Sequence, residues 1–364
     1  MNEDTHILLN PGPVNLSRRV REALLRPDLC HRETEFTDLQ AGIRAGLLGI
    51  YDLPADVWAS VLLTGSGTAA VEAMMTSCIP AHGKVLILEN GVYGERMTRM
   101  ATLHGINHLA LNHGWDDAID LARLEEELRY HEEITHVAVV HHETTTGRLN
   151  DLQAIAEVCS RYQAVLLVDA VSSFGAEAID FSGCNLAACA GTANKCLHGV
   201  PGASFVIVNR TAMQDMQGTT PRTVYLDLCT YLEQQDQGGT PFTQSVQTFY
   251  ALDEAIREHR DAGGWPARRE TYRARIRMVS EGLHEAGITS LLPEAESSCV
   301  LHAFHLPDGV SYRELHDHLK THGFVIYAGQ GQFASNIFRI ACMGEINEHR
   351  LEALVALIDD LLRR

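Results

Sequence analysis

Seven short apolar runs alternate with helical patterns over the first two hundred or so residues, and this rhythm limits the chain to few architectures. The runs are Ser60–Leu63, Lys84–Glu89, His108–Leu111, His136–Val140, Ala164–Asp169, Leu186–Cys189 and Ser204–Val208. Several are apolar without interruption. A strand with one wet face alternates, whereas a continuous run needs both faces covered, as in a parallel sheet between helices. Helical spacing recurs at Thr68–Cys78, Gly94–Leu103, Leu121–Tyr130 and Leu152–Tyr162. Together they predict an α/β fold, a doubly wound and mostly parallel seven-stranded sheet.

After about Thr248 the rhythm changes. A long charged helix is expected after Pro266, then a strand near Val300–His305 and a helix at Tyr312–His322. Strands at Phe324–Tyr327 and Phe338–Ala341 and a helix from Glu348 follow. This is an α+β pattern. The chain has 364 residues and 45% hydrophobic content, enough for one large domain and a smaller one. The expected division is a large domain over 15–250 and a small C-terminal domain over 251–364, joined by an N-terminal segment, 1–14.

With 47 acidic against 29 basic residues the formal charge is −18, which argues against nucleic acid or an anionic membrane as partner. It leaves room for a local cationic pocket. No apolar run approaches a membrane span, and Met1–His6 lacks the features of a signal peptide. Nine cysteines without a CxxC predict reduced thiols and a cytoplasmic protein, Cys184 among them. Of the 19 histidines, His141 and His142 adjoin at a strand end and are expected to face opposite ways, so no metal site is expected.

Chemistry concentrates at the ends of the runs. Ala164–Asp169 closes on a carboxylate. Beyond the next run, Lys195 stands among small residues in Ala193-Asn194-Lys195-Cys196. Pyridoxal phosphate demands such a pair: an amine to condense with its aldehyde, and an acid to keep its ring nitrogen protonated. Gly65-Ser66-Gly67-Thr68 opens a helix after the first run. Its glycines admit an anion, the helix start offers free N–H groups, and Ser66 and Thr68 add hydroxyls. The same residues, with Ala70, fit the dinucleotide fingerprint, with Glu89 placed for a ribose. That alternative, a nicotinamide-dependent dehydrogenase, has no use for Asp169 or Lys195. Tyr93 is placed to cover an aromatic ring, and the hydroxyls of Thr144, Thr145 and Thr146 to bond one.

These segments resemble the class V, fold-type I aminotransferases. The shared stretches are Asn10-Pro11-Gly12-Pro13, Gly65-Ser66-Gly67-Thr68, His142-Glu143-Thr144-Thr145-Thr146-Gly147, Val168-Asp169-Ala170-Val171-Ser172-Ser173, Ala193-Asn194-Lys195-Cys196 and Phe324-Val325-Ile326-Tyr327. The resemblance implies pyridoxal 5'-phosphate bound by Ser66, Gly67, Thr68, Tyr93, Thr144, Asp169, Val171, Asn194 and Lys195. Lys195 and Asp169 would be catalytic. Thr243 would serve the neighbouring subunit of a homodimer with shared sites, and Arg339 would hold the substrate's acidic group.

The E-T-T-T-G and A-N-K-C segments imply one branch in particular, which moves the amino group of 2-aminoethylphosphonate to pyruvate, giving phosphonoacetaldehyde and L-alanine. The partners are then small molecules. The alternative branch transfers from alanine or serine to glyoxylate, and His31-Arg32-Glu33-Thr34-Glu35-Phe36 resembles it. A non-catalytic protein on the same fold is a further alternative, set against the intact Lys195 and Asp169. Three departures from the branch stand out: Gln244 where proline is usual, Ala328 where proline is common, and Ala341-Cys342-Met343 in place of a G-N-I run. The last flanks Arg339 and is expected to bear on donor choice.

Overall fold

In the computed structural model, which describes residues 6–182, 185–216 and 218–363, all seven runs join one sheet. The strands are β1 (Trp58–Gly65), β2 (Lys84–Glu89), β3 (Asn107–Asn112), β4 (Ile134–Val140), β5 (Val165–Asp169), β6 (Leu186–Thr192) and β7 (Gly202–Asn209). Their order is β1-β7-β6-β5-β4-β2-β3. Only β7 runs antiparallel to its neighbours. Successive residues feed opposite layers. Leu62, Leu88, Val139, Val168 and Phe205 pack on one face. Val61, Leu63, Ile87, Ala138, Leu167 and Val206 pack on the other. That two-sided burial is why the runs carry almost no polar residues.

The helices of ten residues or more are α1 (Thr34–Leu48), α2 (Gly67–Ser77), α3 (Val92–Leu103), α4 (Leu121–Tyr130), α5 (Leu152–Arg161), α6 (Val246–Asp261), α7 (Gly264–Glu285), α8 (Tyr312–Thr321) and α9 (Glu348–Leu362). Side-chain caps fix several starts: Asp120 and Asp151 accept amides of the first turns of α4 and α5. Pro266 sits in the first turn of α7, where a missing N–H costs nothing. The sequence reading does not mark α1 or α6. Their inward faces carry polar residues, Gln40 on α1 and Asp253 and His259 on α6, which break the apolar stripe.

A second, antiparallel sheet has the order β8 (Leu301–His305), β10 (Ile337–Ala341), β9 (Tyr327–Ala328). Phe324–Tyr327, expected as one strand, divides. Phe324–Val325 pairs in parallel with Ile7–Leu8, while Tyr327 and Ala328 pair with β10. Ile326, between them, is fully buried where the chain changes partner. The N-terminal segment thus lies on this second region, and Leu9 accepts the amide of Ala341 at 2.8 Å. No described helix is long and apolar enough to cross a membrane. Among the described residues no cluster of His, Cys, Asp or Glu is arranged to hold a metal ion. The eight described cysteines form no disulfide; Cys184 lies outside the described residues.

Candidate active site

Parallel strands bring their C-terminal ends to one edge, and the candidate residues gather there. Asp169 ends β5, in register with Val140 of β4 and Ala190 of β6. It is buried, and its Oδ1 accepts the Val171 amide at 2.9 Å. Burial raises its pKa to about 6, against the opposing pull of that amide and of the Lys195 and Arg96 charges.

Lys195 follows β6 by three residues, in a loop closed by the Gly199 amide on the Ala193 carbonyl, 2.7 Å, and by Arg268 on the Cys196 carbonyl, 2.5 Å. Burial lowers the lysine to about 8, although the residue is only partly buried. Gly12 explains part of this. A Cβ there would lie 2.8 Å from the Lys195 Cδ, and its φ is +109°. The N-terminal segment is pressed against the lysine's methylenes.

Ser66 is the N-cap of α2, yet its hydroxyl makes no capping bond. It is exposed, as is Thr68. The first turn therefore presents a hydroxyl and open amides at the end of β1. Gly67 allows the loop to close on β5: a Cβ there would sit 2.6 Å from Val171 Cγ1.

Tyr93 lies in the first turn of α3. Its amide donates to Glu143 Oε2 at 3.1 Å. Glu143 is fully buried, and its other oxygen accepts the amide and hydroxyl of Thr145 at 3.0 and 2.6 Å. Burial raises its pKa. Sequence reasoning gave Glu143 no role. Its signal was an acid inside a threonine loop, with Gly91 opposite; a Cβ on Gly91 would collide with the Glu143 carboxyl. Thr144 and Thr146 do not cap the next helix. Their hydroxyl oxygens are buried with no hydrogen-bond partner among the described residues. The Asn194 side chain accepts the Thr192 hydroxyl at 2.8 Å, which steadies the residue before the lysine.

Arg339 comes from the other region, on β10, paired with Tyr327. It is 1% exposed. Its Nε donates to the Ala328 carbonyl at 2.8 Å, and Nη1 to the Thr144 carbonyl at 2.6 Å and to Gln330 Oε1 at 3.2 Å. These partners are neutral, and no carboxylate among the described residues pairs with it. Burial lowers its pKa, and its charge in turn depresses Lys195. A buried cation with no direct ion pair is costly, so the geometry suits an anion from outside.

The family model for class-V aminotransferases matches residues 26–340. The chain belongs to the class-V aminotransferases. It is 38% identical to a 2-aminoethylphosphonate–pyruvate transaminase of Klebsiella pneumoniae subsp. pneumoniae, over 100% of this chain and 99% of that one. It is 35% identical to the enzyme of the same name from Bacillus cytotoxicus, over 99% of both. Among solved structures, an alanine–glyoxylate aminotransferase from Nostoc sp. superposes with a TM-score of 0.92 at 24% identity, covering 100% of this chain and 97% of that one.

Within this class-V aminotransferase the dinucleotide alternative fails. Glu89 is buried, and its carboxylate is taken by the Thr98 hydroxyl of α3 rather than held out for a ribose. His141 and His142 are both buried and held neutral, near pKa 4. The departures also find places. Gln244 is buried, accepting from the Thr64 hydroxyl at 2.8 Å and donating to the Thr240 hydroxyl at 2.8 Å, while Thr64 Oγ1 takes the Ser245 amide at 2.9 Å. A proline would stiffen this loop through φ; here side-chain bonds tie it to the end of β1. Thr243, one residue before, is exposed. Ala328 contributes only its carbonyl to Arg339. Ala341, Cys342 and Met343 are all buried. Met343 packs with Val14, Cys196 and Tyr272, behind the lysine loop.

Proposed function

We propose that this class-V aminotransferase uses pyridoxal 5'-phosphate to move the amino group of 2-aminoethylphosphonate to pyruvate, yielding phosphonoacetaldehyde and L-alanine. The observation that carries the substrate class is Arg339, a buried guanidinium with no carboxylate in a salt bridge with it, near enough for its charge to act on Lys195. The two full-length relatives named for this donor and acceptor support the choice.

The donor set fits the cofactor. Asp169 suits a protonated ring nitrogen, the unpartnered Thr144 hydroxyl suits the ring oxygen, and Ser66, Gly67 and Thr68 suit the phosphate. Tyr93 and Val171 would cover the ring, and Asn194 would flank it. When bound, the cofactor supplies an aldehyde for amine exchange and an electron sink. The protein supplies the rest. Lys195, with a pKa near 8, holds an appreciable neutral fraction at physiological pH, and its Nζ takes the proton from the carbon bearing the donor nitrogen. Asp169 would balance the charge of a protonated ring nitrogen. Arg339 orients the phosphonate or, in the second half of the cycle, the pyruvate carboxylate, because its fork matches both.

The same reading takes the enzyme as a cytoplasmic homodimer. The exposed Thr243 reaches the neighbour's phosphate site. The large domain spans 15–250 and the small domain 251–364, with 1–14 between them. A panel of donors with pyruvate, scored by alanine formed, tests the substrate. 2-Aminoethylphosphonate should lead. If serine or glyoxylate pairs turn over while the phosphonate stays inert, the glyoxylate branch replaces this assignment.

A further inference from the structure

Arg96 enters the site above only as a charge near Asp169, yet its guanidinium also lies against the phosphate loop. It lies on α3, one turn beyond Tyr93. The protein carries 47 acidic residues against 29 lysines and arginines, so an arginine has many acids to pair with. Arg96, like Arg21, Arg99 and Arg123, pairs with none among the described residues; what sets it apart is where it lies. Its neighbour Glu95 is turned away and accepts the Trp115 indole N–H at 2.8 Å. The Arg96 guanidinium lies 4.6 Å from the centroid of the Tyr93 ring, and its Nη1 donates to Thr68 Oγ1 at 3.3 Å. Its charge reaches both Asp169 and Lys195.

We propose that Arg96 is a cofactor-binding residue that completes the phosphate cup and sets the enzyme's preference for a phosphorylated aldehyde over the unphosphorylated one. The inference rests on the cofactor reading above. By donating to the Thr68 oxygen, Arg96 leaves that hydroxyl's own proton free to point at an anion. The remaining guanidinium N–H groups bring a formal positive charge to a loop that otherwise offers only amides and hydroxyls. A phosphate dianion there would be met by charge as well as by dipoles. Lying against Tyr93, the guanidinium also ties the phosphate end of the site to the residue placed over the ring.

Direct binding separates this role from a structural one. Apoenzyme of the wild type, Arg96→Gln and Arg96→Lys is titrated with pyridoxal phosphate and with pyridoxal, following quenching of protein fluorescence. Arg96→Gln should weaken pyridoxal phosphate by about ten- to a hundredfold and leave pyridoxal within about twofold. Arg96→Lys should recover part of the loss. Inorganic phosphate should compete with pyridoxal phosphate for the wild type and much less for Arg96→Gln. Unchanged affinity for pyridoxal phosphate in Arg96→Gln would overturn the proposal. So would an equal loss for both aldehydes, which would make Arg96 a support for Tyr93 alone. A wild-type protein that binds neither aldehyde would overturn the cofactor reading itself, and this proposal with it.

Discussion

The two ends of the site are built in opposite ways. The floor, Asp169 with Lys195 and the loop Gly65–Thr68, comes from the ends of strands in one sheet, and each part is a contiguous stretch of chain. The clamp, Arg339, arrives from a different sheet and is held by carbonyls of Thr144 and Ala328, contributed by distant segments. The floor contains acid and base whose pKa values burial pulls toward each other, about 6 and about 8. The clamp contains a buried cation with no carboxylate in a salt bridge among the described residues. In the proposed reading, chemistry is thus placed where local sequence secures it, and recognition where two regions meet.

Substitutions can break this division. The largest effect is expected at the floor. Lys195→Ala should cost roughly 10²–10⁴-fold or more in turnover while cofactor still binds noncovalently. Borohydride reduction of the loaded wild type should place the adduct on Lys195 by peptide mapping. Only the neutral amine attacks an aldehyde, so adduct formation in the unliganded protein should rise through about pH 8 rather than 10.5. An adduct mapped to another lysine would end the assignment.

Asp169→Asn comes next, and two readouts should move in opposite directions. Turnover should fall, because an amide cannot balance the ring's charge. Stability of the unliganded protein should rise. The folded pKa, near 6, lies above the unfolded 3.8, so the carboxyl favours folding only while protonated, and that contribution is lost as pH climbs through 6. At pH 7 the buried carboxylate therefore costs about 3 kcal/mol. Asparagine avoids it and keeps the bond from Val171. Urea unfolding at pH 7 should favour the variant, with the gap closing toward pH 4. A variant less stable at pH 7 would show the carboxylate to be well paired without cofactor.

Arg339→Lys tests the clamp. It keeps the charge but loses the fork, so kcat/KM for the phosphonate should fall about ten- to a hundredfold, mainly through KM. Cofactor affinity should hold. If cofactor affinity drops instead, floor and clamp are not separable. The smallest effect is expected at Gln244→Ala. Its two hydrogen bonds to Thr64 and Thr240 should be worth about 1 kcal/mol each, read as a lower Tm with modest change in KM. A Tm equal to wild type would mean the loop is held by something other than this glutamine.

Much of this molecule was legible before any coordinate. The seven runs became seven strands because burial on both faces leaves little room for polar residues. Asp169, Lys195 and the glycine loop stood out because each is a short motif at a strand end, and the structure brings them to one edge of the sheet. Helices α1 and α6 escaped notice because their inward faces carry Gln40, Asp253 and His259, and hydrophobic periodicity does not register a polar group that finds its partner in the core. Arg96 escaped because nothing local distinguishes it from a surface charge, and Glu143 because its threonine loop does not by itself show which distant amide the carboxylate holds.

The amino-acid order by itself determined the seven strands, the mostly parallel character of their sheet and the strand ends that carry the acid and the lysine, since these follow from patterning over five to eight residues. Only the tertiary structure decided that Arg339 is buried without an acid, that Glu143 holds the amide of Tyr93, that Gly12 lies on the lysine and that Arg96 faces Thr68. Each is a contact across tens to hundreds of residues, and a charge shows its purpose only once the groups left out of its surroundings are known.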